Sequence, residues 1–238
     1  YLKAKYNWKK LGSGADYIEP EEENIIRGLL KKSIELDNNL LIAKILLGQT
    51  YFFEEHGNKT LAIKARNIFE DILITAEHIN DKLYIGRSLR NIGNTYWEFD
   101  KQMANDYYIR ALEISKEIND NIGMIKSISN IGNYYLSIRK YEKALSYYQS
   151  ALKISEDVEN KEEIFWQNLK ISNNYKQSGD YIRALSINSQ MMKSINKEES
   201  SILKNVWCLE SISEIYFEIG EYNKCLEHLN QALSISKK

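Results

Sequence analysis

The 238-residue chain is 43% hydrophobic and 27% charged, the balance of a folded protein of one or two domains. Its 32 Lys/Arg and 33 Asp/Glu are interspersed and leave a formal net charge of −1, so no basic stripe speaks for nucleic acid. No apolar run reaches the ~18–20 residues that cross a bilayer and no signal-peptide pattern opens the chain, which points to a cytoplasmic protein with neither nucleic-acid nor membrane partners.

Residues 1–11 predict a short helix carrying Tyr1, Tyr6 and Trp8. Because the chain opens on Tyr1 rather than Met, it reads as a fragment of something longer. The loop GSGADYIEP follows, and Pro20 with Glu21, Glu22 and Glu23 marks the next helix start, since proline and acidic residues both suit a first turn. From Asn38 the pattern becomes regular. Gly48 and Tyr51 are followed by a turn with His56 and Gly57, then Ala65 and Phe69. The next copies read Gly93, Tyr96, Ala104, Tyr108, Ala111, and Gly132, Tyr135, Ala144, Tyr148, Ala151. The fifth has Ser172, Tyr175, Gly179 and Ala184, and the last Ser213, Tyr216, Gly220, Cys225 and Ala232.

From Gly48 through Gly93, Gly132 and Ser172 to Ser213 the steps are 45, 39, 40 and 41 residues. Within a copy, small and apolar residues recur three and four apart, the spacing of one helix face. Glycine within a helix costs ~1 kcal/mol relative to alanine, so its return at one phase predicts a close approach of a second helix there. Each copy is therefore a helix pair, and pairs that cannot bury their apolar faces alone stack on one another.

Gly-x-x-Tyr on a first helix followed by Ala-x-x-x-(Tyr/Phe)-x-x-Ala on a second resembles the tetratricopeptide repeat (TPR), over residues 39–238 and weakly over 1–38. The resemblance implies an all-α fold, a right-handed α-α superhelix (TPR solenoid) of about six helix-turn-helix repeats. We expect one solenoid domain over residues 1–238, with repeats near 1–38, 39–80, 81–120, 121–160, 161–200 and 201–238, or twelve helices. Ser172 and Ser213 depart from glycine, Cys225 from the first alanine, and Asn188 and Met191 from the aromatic and second alanine of the fifth copy. The period near 40 exceeds the usual ~34 and implies longer helices.

Catalysis needs converging groups. His56, His78 and His228 are scattered, without partners for a metal, a nucleophile or a general base. The glycines lie in helix patterns rather than in a phosphate-cradling loop, and Cys208 and Cys225 read as reduced structural cysteines. We therefore expect no enzyme, no metal and no cofactor.

What remains is a surface. The resemblance implies that the first helix of each pair lines a concave groove. Asn94, Asn133 and Asn173 share the phase just after the glycine slot, and Asn91 and Asn130 share a second phase beside it. Asparagine is an indifferent helix former, but its carboxamide both donates and accepts. A ladder of them could hydrogen-bond an extended peptide's main chain, which is similar to groove recognition in kinesin light chains. Alternatively, each asparagine bonds to the neighbouring first helix. Arg87, Arg90 and Lys126 make this face basic in the third and fourth repeats, and Glu210, Glu214 and Glu218 make it acidic in the sixth. A ligand would then lie with its acidic part near Arg90. Ile42, Phe52 and Phe53 in the second repeat suggest an apolar pocket or partner contact.

These observations predict a protein-interaction scaffold binding a peptide or partner protein in its groove. The opening YLKAKYNWKK and the following KKSIELDNNLLIAKILLGQTY resemble TPR arrays attached to prokaryotic nucleotide-cyclase or kinase signalling proteins, which implies a regulatory arm. Two alternatives stay open: a receptor for a short signalling peptide, as in repeat-containing quorum-sensing regulators, and an oligomerisation element forming a homodimer through its terminal repeats.

Overall fold

The computed structural model describes residues 20–53, 59–195 and 201–236. The short helix expected over residues 1–11, His56 and Gly57 lie outside them. Among the described residues there are eleven helices: α1 Pro20–Leu36, α2 Leu41–Phe53, α3 Lys59–His78, α4 Lys82–Tyr96, α5 Lys101–Glu117, α6 Asn121–Ser137, α7 Tyr141–Asp157, α8 Lys161–Gln177, α9 Tyr181–Ser194, α10 Ser201–Glu218 and α11 Tyr222–Ser236. They divide into two compact units, one up to Ser127 and one from Ile128.

The period has a simple origin. Helices α5 to α8 are each 17 residues long, and three-residue turns separate them, so two helices and two turns make forty. Each of these turns carries one residue in the left-handed region, Asn119, Arg139 and Glu159, at φ of 55°, 57° and 52°. The same device recurs at Asn80, Gly179 and Gly220. It lets the following amide reach back to the preceding helix, as Asp120 N–H does to the Ser115 carbonyl at 2.9 Å, which closes the helix end. The residue after it then caps the next helix. Asp81, Asp120, Asn160 and Asp180 accept from the amides of Tyr84, Gly123, Glu163 and Arg183 at 3.0–3.2 Å, the ordinary N-cap bond. Lys140 occupies the same position with no side-chain cap.

Close approach within a pair explains the glycine slot. A Cβ placed on Gly93 would lie 2.6 Å from the Tyr108 ring, and one on Gly132 would lie 2.6 Å from the Tyr148 ring. The alanines that flank these rings, Ala104 and Ala111 in the first unit and Ala144 and Ala151 in the second, are fully buried. In the fifth copy both partners change together. Ser172 stands in the glycine slot and donates to the Ala184 carbonyl at 3.1 Å. Asn188 replaces the ring and donates to Ser172 Oγ at 2.7 Å. A smaller side chain on the second helix makes room for a larger one on the first.

The first unit's core gathers Ile26, Leu30, Ile45, Phe69, Ile72 and Ile92. Phe52, read as part of an apolar pocket or partner contact, is half-buried and packs against this core; Ile42 is half-buried, and the side chain of Phe53 lies outside the described residues. Two arginines clasp neighbouring helices in this unit. Arg27 Nε and Nη2 donate to Thr50 Oγ1 and its carbonyl at 3.1 and 2.8 Å, and Arg66 does the same to Thr95 at 3.0 and 3.1 Å. Their guanidinium planes lie over Tyr51 and Tyr96, 4.5 and 3.5 Å from the ring centroids, a favourable arrangement for a planar cation.

In the second unit, Ala144, Tyr148 and Ile171 form one cluster, and Phe165, Met191 and Cys208 another. Cys208 and Cys225 are free and buried. Burial pushes the Cys208 thiol up to about 12, so it stays protonated and inert.

Candidate functional site

In the first unit, α4 presents Arg87, Arg90, Asn91 and Asn94, all half-buried. Asn94 is held by its own pair: the Tyr108 hydroxyl donates to its Oδ1 at 2.9 Å. This bond runs to the second helix of the pair. Asn91 Nδ2 donates to the Arg87 carbonyl one turn back at 3.0 Å. Arg90 reaches inward, with Nη1 donating to Ser115 Oγ at 3.5 Å. Burial pulls its guanidinium down to about 10, opposed by the Asp120 carboxylate and reinforced by Arg87. Arg87 lies over the Tyr84 ring, 5.5 Å from its centroid. Lys126 is exposed.

In the second unit, Asn133 repeats the Asn94 arrangement, accepting from the Tyr148 hydroxyl at 2.8 Å. Burial raises both tyrosines, Tyr108 and Tyr148, well above the ordinary phenol range, so each remains a donor. Asn130 and Asn173 are half-buried. No tyrosine stands behind Asn173, because Asn188 occupies that place and turns to Ser172 and to Ser211 Oγ, the latter at 3.1 Å. Glu210 and Glu214 are exposed, and Glu214 is ion-paired with Lys176 across from α8. The acidic stripe is thus partly neutralised by its neighbour.

Two features of this unit carried weaker sequence signals. Trp166 and Trp207, six residues before Ser172 and Ser213, bring their rings together at 4.7 Å between centroids. Lys170, two residues before Ser172, is half-buried and burial draws its ammonium down to about 8 despite the opposing Glu163 carboxylate. Phase alone could have found them, because both positions are counted from the same slot as the asparagines.

Among the described residues no group of three or more His, Cys, Asp and Glu is arranged to hold a metal ion, and no helix is long and apolar enough to cross a membrane. His78 is exposed; His228 lies against the Tyr216 ring at 5.2 Å, with Nδ1 2.7 Å from the Lys224 carbonyl.

Helix pairs repeated at forty residues, with a glycine or serine on the first helix facing a ring or its small substitute on the second, define an all-α helical-repeat protein. Residues 102–157 match one family model described as Tetratricopeptide repeat, and residues 208–238 match another of the same description. These two segments carry tetratricopeptide repeats. No curated protein sequence matches the chain.

Solved structures share its fold. It is similar to BtubC (BKLC) from P. vanneervenii at 16% identity and a TM-score of 0.66, over 91% of this chain and 89% of that one. It is similar to a Rap protein complexed with Competence and Sporulation Factor at 18% identity and a TM-score of 0.70, over 91% of this chain. The match spans 58% of the Rap chain's length. NprR in complex with its cognate peptide NprX is similar at 14% identity and a TM-score of 0.59, over 99% of this chain and 67% of that one.

Proposed function

We propose that this chain is a non-catalytic interaction scaffold that binds an extended peptide or partner protein along its first helices. In this reading it serves as a cytoplasmic regulatory arm of a larger signalling protein. The carrying observation is the repeated asparagine held by a tyrosine hydroxyl, at Asn94 and again at Asn133. A hydroxyl bonded to Oδ1 fixes the plane of the carboxamide and so presets its amide protons, which lowers the ordering cost of binding. The Rap and NprR structures each contain a bound factor or peptide, which favours a short peptide ligand. The test is a fluorescence titration against an arrayed library of extended peptides, with an Asn94→Ala/Asn133→Ala double variant beside the wild type. Binders lost in the variant support the reading; a library without binders, or binders indifferent to the variant, overturns it.

A second reading rests on α11. Its outward side carries Tyr222, Leu226, Leu229 and Leu233, 42–59% exposed and spaced four, three and four apart, an apolar stripe of the kind that pairs helices. Here the chain is an oligomerisation element. Light scattering decides: a dimer dispersed by Leu226→Glu supports it, and a monomer at high concentration sinks it.

A further inference from the structure

The outward stripe of α11 is the counterpart of a face that earlier second helices bury. In α7, Leu145 and Leu152, each one residue after Ala144 and Ala151, pack into the cluster that holds Ile171 of α8. In α9, Leu185 is half-buried, and Met192 packs into the cluster that holds Cys208 of α10. In the first unit the same position is Arg66, one after Ala65, and it donates to Thr95 of α4. On α11 the equivalent residues are Leu226 and Leu233, one after Cys225 and Ala232. These stand open, 58% and 52% exposed. Leu229 takes the position of the fully buried Tyr148 and Asn188 and is also exposed. Tyr222 continues the stripe, and the Phe217 ring of α10 meets it edge-on at 5.7 Å.

The repetition shows what fits such a face. Helix α8 follows α7 after a three-residue turn and runs back along it, so the natural cover is an antiparallel helix with an apolar side. Helix α11 itself has that form. Its stripe, spaced four, three and four, is the seam of a two-helix contact, and it maps onto itself when turned end for end. Tyr222 then meets Leu233 of a second copy, and Leu226 meets its Leu229, an isologous pairing. The open border of the stripe carries Asn223, Asn230 and Ser234, all uncharged. Asn223 comes opposite Asn230 of the second copy, and carboxamides both donate and accept. The charges of α11 are turned away and engaged. Lys224 lies over the Tyr216 ring and pairs with Glu221, and Glu227 accepts from Gln231 at 3.4 Å. No like charges therefore oppose self-association, which is the usual barrier against it.

We propose that α11 packs antiparallel against α11 of a second copy, about a two-fold axis that passes between Leu226 and Leu229. The second copy supplies the antiparallel helix that α8 supplies to α7. This rests on the oligomerisation reading above and specifies the helix, the partner and the direction of pairing.

Two measurements on the 238-residue chain test this. Light scattering over a concentration series reads the mass of the wild type and of Leu226→Glu. Cross-linking reads the direction. In a Cys225→Ala background, copies with Asn223→Cys and size-tagged copies with Asn230→Cys are oxidised by copper phenanthroline, mixed and separately. We expect a wild-type dimer and a monomeric Leu226→Glu whose urea midpoint at low concentration is unchanged, as suits an exposed position. Mixed copies should cross-link at least about tenfold faster than either variant alone, because pairing holds the two thiols together. Self-linking of each variant without the mixed product overturns the antiparallel pairing and leaves the oligomerisation reading standing. A dimer that survives Leu226→Glu also overturns it, because the copies then meet elsewhere. A wild-type monomer at high concentration overturns both and leaves the stripe to a partner of another kind.

Discussion

The hydroxyl of Tyr148 donates to Asn133 Oδ1 at 2.8 Å, while the same ring lies where a side chain on Gly132 would be. One tyrosine thus determines two neighbours in the first helix: it excludes a Cβ at one position and holds a carboxamide at the next. Tyr108 does the same to Gly93 and Asn94. Core packing and the polar row on the first helices are therefore parts of one device.

Gly132→Ala should destabilise the chain. Alanine recovers ~1 kcal/mol of helix propensity, but crowding a fully buried ring costs ~1–3 kcal/mol. With Tyr148→Leu already in place the penalty should vanish. A double-mutant cycle by urea denaturation should return a coupling of roughly 1–2 kcal/mol; simple additivity would show that ring and glycine are independent.

Tyr148→Phe keeps the packing and removes the bond to Asn133, so it should cost about 1 kcal/mol near neutral pH. Because burial raises this phenol above its ordinary value of 10.0, the native state keeps its proton at a pH where the unfolded chain releases it. The tyrosine's contribution is then complete below pH ~10 and declines above it. Denaturation curves of wild type and variant should converge as pH rises past 10, and a constant gap would contradict the assignment.

The turns offer gains. Lys140 stands where Asp120, Asn160 and Asp180 cap their helices, so Lys140→Asp should add about 1 kcal/mol. Glu159 sits at φ 52°, a region that disfavours residues with a Cβ by ~1–2 kcal/mol. Glu159→Gly should raise the melting temperature, less the entropic cost of glycine in the unfolded chain. Calorimetry of both variants checks this, and a lower melting temperature in either would count against the turn geometry.

Lys170 should oppose folding. Burial draws its ammonium down to about 8 in the folded chain from an ordinary value of 10.5. Below pH 8 both states are protonated and the penalty is full; between 8 and 10.5 the unfolded state binds more protons, so stability gains with pH. Lys170→Met should accordingly stabilise the protein at pH 7, by an amount on the order of 2 kcal/mol. Its advantage should shrink across that window. A destabilised variant would mean that Lys170 is a structural cation after all.

The helical repeat was legible without coordinates because it rests on periodicity: three-and-four spacing marks a buried helix face, and the return of Gly48, Gly93 and Gly132 marks close approach at a fixed phase. The asparagine rows were legible for the same reason. Phase shows which residues share a face, but it does not reveal which partners they meet. That Asn94 and Asn133 are held by Tyr108 and Tyr148, that Arg27 and Arg66 clasp Thr50 and Thr95, and that Phe52 packs against the core depends on how side chains meet between helices. The turns were obscure because Asn80, Asn119, Arg139 and Glu159 adopt the left-handed conformation under the constraint of the helices on either side, where composition offers little signal. The distinction between Lys170 and Lys176, the one without an ion pair among the described residues and the other bonded to Glu214, is likewise tertiary. Six residues apart on one helix, they are the same amino acid, and only the neighbouring helix makes them different.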